Sequence, residues 1–172
     1  MGKMRQVTGH ERLLWLTVLP VLAMLAVIYL FSAQNAEVST LLSDRVLGFL
    51  LSLLPKKSAA ELMPEVEFSF STSRLIRKLA HFTEFAALGF FMLGHGAAMR
   101  RESGKLRTVM LWSWLACVLC AAGDEFHQHF VSGRAPLAMD VMIDSAGAAA
   151  GIAAMALLIF IIRRWQGRNL QQ

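Results

Sequence analysis

Several charged and imidazole side chains of this sequence lie inside or at the edges of strongly apolar runs, and their spacing is helical. Arg77, His81 and Glu84 recur every three to four residues, so a helix brings them to one face, with Lys78 beside them. Asp124 and Gln128 share a face of the next apolar segment. Glu125 and His129 share an adjacent one, and His127 adds another titratable ring. Arg134 follows in the turn-like string VSGRAP. Asp140, Asp144, Gly147 and Gly151 then line one stripe of the last apolar segment, where the glycines would let a neighbouring helix pack close beside the carboxylates. A charge at membrane depth costs ~2.5–3.5 kcal/mol on insertion scales, so such residues usually face a bundle interior and mark function.

These residue types allow three kinds of work. In the first, His81 acts as general base and Glu84 or Asp124 orients it or serves as acid, with Glu125 and Asp140 completing the acid–base set. Thr83 and Ser145 lie in no nucleophile motif, so the expected attacker is an activated water or a substrate hydroxyl. The concrete form is a hydrolase or group transferase acting on a lipid head group. In the second, Arg77, Lys78 and Arg134 hold a phosphate or carboxylate, Arg through bidentate contact, with Gln128 and Asp144 in the same binding set. In the third, the charges only pair with one another to fix helix register, since buried charges must be paired to be tolerable. A divalent metal would fit either of the first two. His81 and Glu84, at i and i+3, can ligate one ion from one helix, and Asp124 and Asp140 lead a set of further donors that includes Glu125, His127, His129 and Asp144. The H-E-x-x-H spacing of zincins is absent. His10 and His95 are expected at solvent or interface positions.

The elements that must position these groups are apolar helices. Of the 172 residues 56% are hydrophobic and mean hydropathy is +0.51, far from the balance of an ordinary soluble domain, and the length suits one domain over residues 1–172. The expected fold is all-α, a polytopic bundle of four transmembrane helices at about 13–31, 75–99, 109–128 and 141–162, since a bilayer core needs ~20 helical residues. The first run exceeds the ~7–15 apolar residues of a signal-peptide core, so it reads as an uncleaved helix, mildly kinked at Pro20. Leu41 to Leu54 is apolar but too short to span. It reads as an amphipathic helix at the interface, or as a re-entrant cap over the polar residues. The tract from Pro55 to Ser73 reads as loop. Gly147 and Gly151 read first as packing residues within the chain, with a homodimer as the lesser role. Cys117 and Cys120 sit in an apolar run without a second pair, so they read as small packing residues.

The net charge of +5 does not point to nucleic acid, because the basic residues flank the apolar runs. Lys3, Arg5 and Arg12 precede the first run. Arg100, Arg101, Lys105 and Arg107 lie between the second and third, and Arg163, Arg164 and Arg168 follow the last. The positive-inside rule puts both termini and the 100–107 loop in the cytoplasm, with 32–74 and 124–140 outside. The polar end of the second helix, the end of the third and the start of the fourth then converge on one outer site.

The same residues resemble a known family. Lys78-Leu79-Ala80-His81-Phe82-Thr83-Glu84-Phe85 resembles the K-x-x-H-F-x-E-Y signature of the VanZ-like family. Asp124-Glu125-Phe126-His127-Gln128 resembles its D-E-x-x-Q element, and Phe130-Val131-Ser132-Gly133-Arg134 its F-V-P-G-R element. Asp140 with Gly147 resembles its D-x-x-x-N-x-x-G, and Phe31-Ser32-Ala33-Gln34 its F-S-x-Q. The ordered set runs over roughly residues 13–160. Phe85 stands for the usual Tyr, Ser132 for Pro, and Asp144 for Asn, which adds a carboxylate. The resemblance implies a bacterial plasma (inner) membrane protein related to members linked to lowered susceptibility to teicoplanin, a lipoglycopeptide. The ligands it suggests are an anionic lipid, a lipid-linked cell-wall precursor or the lipoglycopeptide itself.

Overall fold

The computed structural model describes residues 9–53, 65–99, 106–134 and 137–169. Among these the chain is all-helical, with five helices and no strand: α1 (Gly9–Ser32), α2 (Ala36–Ser52), α3 (Glu65–Met99), α4 (Leu106–Gln128) and α5 (Ala138–Asn169). Three of them, α1, α4 and α5, are long and apolar enough to cross a membrane. Their outward faces carry large apolar side chains such as Leu16, Leu119 and Phe160, which are 66%, 74% and 59% exposed. Contiguous apolar surface on this scale is a surface for lipid rather than for water.

The more polar α3 lies at the centre and packs against α1, α2, α4 and α5, most extensively against α5. That placement explains how a helix carrying Arg77, Lys78, His81 and Glu84 fits among apolar ones: its neighbours cover it. Phe85 and Leu88 of α3 are fully buried and join Ile28 of α1, Cys117 and Ala121 of α4 and Ala148 of α5 in one core cluster, while Leu93 packs with Val109 of α4 and Ile152 of α5 in a second. Phe85 thus fills a site where a Tyr hydroxyl would need a partner. Cys117 and Cys120 are free, and Cys117 packs in this core as a small apolar group.

The seam between α3 and α5 depends on three glycines. A Cβ on Gly147 would meet the backbone of Phe82, one on Gly151 the backbone of Ala86 and Phe90, and one on Gly89 the backbone of Ala148. The Gly147–Gly151 pair is therefore used inside the chain. Trp114 of α4 adds a side-chain tie, donating from Nε1 to the Ser145 carbonyl of α5 at 3.1 Å.

One sequence expectation needs correction. Glu65 to Ser73, expected as loop, is the first part of α3; residues 54–64 lie outside the described residues. A polar stretch can extend a helix that already has its nucleus, because each added residue then gains a hydrogen bond without the nucleation cost. His95, expected at a solvent or interface position, is placed more closely by the structure. It is half-buried, with Nδ1 3.0 Å from Thr17 Oγ1, and links α3 to α1 away from the polar cluster.

Candidate functional site

The polar residues gather at one end of the bundle, where α1 ends, α4 ends, α5 begins and the middle of α3 passes between them. Each element is fixed there locally. Asn35 caps α2, its Oδ1 accepting from Val38 N at 2.9 Å. After α4 the chain turns sharply: Phe130 N donates to His127 O at 3.0 Å and Arg134 N to Val131 O at 3.2 Å. Gly133 has φ of +76°, a left-handed conformation that favours glycine, and an added Cβ would lie 3.1 Å from Ala36 Cβ. Glu125 Oε1 accepts from Leu137 N at 2.6 Å just ahead of α5, a favourable position for a carboxylate at a helix start.

Arg134 is the knot of this end. Its Nε donates to Gln34 O at 3.1 Å and its Nη2 to Phe31 O at 3.3 Å, which ties it to the α1–α2 turn. Its Nη1 donates to Gln128 Oε1 at 3.1 Å, and Gln128 Nε2 donates to Asp124 Oδ2 at 2.8 Å. The guanidinium and the carboxylate are thus joined through one amide. Burial pulls the Arg134 pKa below its ordinary value and Arg77 adds to this, while Asp124, Glu125 and Glu84 oppose it. Arginine nevertheless stays protonated.

Lys78 Nζ meets Asp140 Oδ1 at 2.8 Å across the α3–α5 seam, with both side chains about one third exposed (35% and 31%). His81 Nδ1 lies 3.9 Å from Glu84 Oε2, too far for a hydrogen bond, and both side chains are 16% exposed. Arg77 makes no ion pair or hydrogen bond among the described residues. The purely structural reading therefore covers Lys78 and Asp140 but leaves Arg77 and Asp144 without an ion-pair partner among the described residues, and Glu84 with only the His81 ring at 3.9 Å.

Two adjoining cavities open here. One, of about 320 Å³, is lined by Arg74, Arg77, Lys78, His81, Glu125, Gln128, Arg134, Asp140 and Asp144, together with Gly133, Leu137 and Ile143. The other, about 250 Å³, lies under α2, whose Ser39, Leu42, Ser43 and Val46 face Arg77, His81, Glu84 and Arg134. Arg77, His81 and Arg134 border both. Every expected site residue except Asp124 lines one cavity or the other, and Asp124 joins through Gln128.

The donors that come together for a metal differ from the expected set. Ligand atoms of His81, Asp124 and Asp144 lie within 4.8 Å of one another, whereas Glu84 and Asp140 fall outside that group. Asp140 is engaged by Lys78, while Asp144, one turn deeper on α5, faces inward. His127 stacks on Tyr29 with ring centroids 5.1 Å apart, and His129 is exposed beside Phe130, so neither joins the cluster. Sequence reasoning did not single out Arg74, although it stands three and four residues before Arg77 and Lys78, on their side of the helix. Ser39 and Ser43 were also passed over, and as hydroxyls in an apolar string they carry no distinctive signal.

Apolar helices that close over a polar, cation-bordered end define a helical membrane protein with an internal polar site. Residues 17–162 match the VanZ/LLP1 family, and the chain belongs to it. No curated protein and no solved structure matches the chain.

Proposed function

We propose that the cation-bordered end of the bundle binds the phosphate-bearing head group of an anionic lipid or lipid-linked cell-envelope precursor, at the outer face of a bacterial plasma membrane. The observation that carries the reading is Arg77. It borders both cavities, has no carboxylate partner among the described residues, and stands near a second guanidinium, Arg134, that repels it electrostatically. Two guanidinium groups that border the same cavities, neither held by a carboxylate at contact distance among the described residues, favour an incoming anion, and guanidinium groups match phosphate geometry. Lys78 and Arg74 add to the same border.

The bilayer arrangement that goes with this reading has four spans, α3 being the fourth, screened from lipid by its neighbours. The short α2 lies at the interface as a cover over the smaller cavity. Its 17 residues reach about 25 Å, short of a span's usual length. Basic flanks at Arg100–Arg107 and Arg163–Arg168 favour both termini in the cytoplasm. The family resemblance to proteins linked to teicoplanin susceptibility makes a cell-wall precursor one ligand of interest.

A second reading, hydrolysis or group transfer on the bound head group, draws on His81, an imidazole on the border of both cavities beside Glu84.

Binding is tested by native mass spectrometry of purified protein titrated with phosphatidylglycerol or phosphatidylcholine. Preferential retention of phosphatidylglycerol, weakened about tenfold or more in Arg77→Ala, is the expected result. Equal retention of the two lipids by wild-type protein, or unchanged retention in Arg77→Ala, overturns the reading.

A further inference from the structure

Beneath the cations lies a group of donors that the anion reading does not use. α3, α4 and α5 each supply one: His81, Asp124 and Asp144, with ligand atoms within 4.8 Å of one another. Asp144 is 2% exposed, borders the larger cavity, and its Oδ1 has no hydrogen-bond partner. Burying a carboxylate oxygen without a hydrogen-bond donor is costly, so native proteins almost always pair it or give it a cation. The ammonium that reaches α5 from α3, Lys78, pairs with Asp140 instead.

We propose that His81, Asp124 and Asp144 bind one divalent transition-metal ion. One imidazole and two carboxylates match the three protein ligands of an open zinc site, and they also suit manganese; an all-oxygen set would favour magnesium or calcium. Two carboxylates are balanced by one divalent charge. At metal–ligand distances of about 2.1 Å, tetrahedral ligand atoms stand about 3.4 Å apart, so side-chain torsions close the remaining gap.

The surroundings supply the outer contacts such a site uses. Gln128 Nε2 holds Asp124 Oδ2, which leaves Oδ1 for the ion. His81 Nδ1 faces Glu84 Oε2 at 3.9 Å, which leaves Nε2 for the ion and lets Glu84 orient the ring once the two close by about 1 Å. Glu84 Oε2 itself has no partner, as expected of a carboxylate waiting for that contact. An open position on the ion would face the larger cavity and draw a phosphate oxygen inward, beyond what Arg77 and Arg134 do from the border. Asp144 stands where the family pattern carries Asn, so the second carboxylate belongs to this chain in particular.

The test uses full-length protein in detergent, stripped with chelator and given Zn²⁺ or Mn²⁺ alone, with bound metal counted by mass spectrometry of the desalted protein. Wild-type protein is expected to retain one ion per chain. Asp144→Asn, isosteric and matching the family's own residue, is expected to bind at least about tenfold more weakly, and so is His81→Ala. Arg77→Ala is expected to keep the ion while losing anionic lipid, so a failure of the metal site and a failure of the lipid reading are told apart. Absence of stoichiometric ion in folded wild-type protein, or wild-type affinity in both Asp144→Asn and His81→Ala, overturns the proposal.

Discussion

The α3–α5 seam makes a quantitative demand. An alanine Cβ at position 151 would stand 2.6 Å from Ala86 C and 2.9 Å from Phe90 N, with the Ala86 carbonyl oxygen nearer still, while ordinary contact begins at 3.4 Å. All three obstacles are backbone, so no side-chain torsion relieves them. The helices must part by about 1 Å, and overpacking of this kind costs ~1–3 kcal/mol. Alanine returns ~1 kcal/mol through its better helix propensity, which leaves a net loss of up to about 2 kcal/mol. At position 147 the added Cβ meets Phe82 C and Cα at 3.1 Å, so the carbon overlap is smaller. Gly123 on α4 has nothing within 4 Å and serves as the control. Thermal unfolding in one detergent should therefore rank Gly151→Ala as least stable, then Gly147→Ala, with Gly123→Ala at or slightly above wild type. Gly147→Ala should also weaken ligand binding, because Lys78–Asp140 and His81–Asp144 both face each other across that seam within a turn or so of it. If Gly151→Ala unfolds at the wild-type temperature or above, the seam is not the close backbone contact described, and the argument that it positions the site fails with it.

Two further substitutions probe the ties around the site. Arg134→Lys keeps the charge but replaces a three-armed donor that reaches Phe31 O, Gln34 O and Gln128 Oε1 with a single ammonium. It should lower the unfolding temperature and raise proteolysis near residues 34–36, and equal protease resistance would show that the knot is dispensable. Trp114→Phe removes the donor to Ser145 O and should cost about 0.5–1.5 kcal/mol in denaturation while leaving lipid binding intact. A matching loss of binding would mean that the α4–α5 contact also sets the cavity's shape.

The apolar runs announce the helices plainly, because a hydrophobic stretch of bilayer length has few alternatives. The glycine spacing on α5 announces its close partner for the same steric reason. The faces of α3 and α4 are readable from helical periodicity, and Gln128 does bond Asp124 one turn away. Periodicity does not fix how each helix is rotated against the others. Hence the sequence grouped Asp140 and Glu84 with His81 for a metal, whereas the packed chain gives Asp140 to Lys78 and turns Asp144 inward. The partners of Arg134 were hidden for another reason: Phe31 O and Gln34 O are backbone carbonyls, and every residue has one. The early start of α3 escaped because Glu65–Ser73 carries no helical period: Val66, Phe68 and Phe70 alternate at two-residue spacing, which suits a strand rather than a helix.

The knot at Arg134 also bears on how the chain is made. Its acceptors at Gln34 and Phe31 precede it by 100 and 103 residues. Synthesis runs from the N-terminus, so α1, α2 and α3 exist before any of Asp124, Gln128, Arg134 or Asp144 has left the ribosome. During that interval Arg77, His81 and Glu84 have none of their eventual companions on α4 and α5, and the carbonyls at the end of α1 have no guanidinium to receive. The nascent first half needs water, lipid head groups or an insertase beside it until the last helix arrives. Truncation after α4 should accordingly yield a protein that the cell's quality-control proteases remove, since the ionisable residues of α3 would be stranded without their complement.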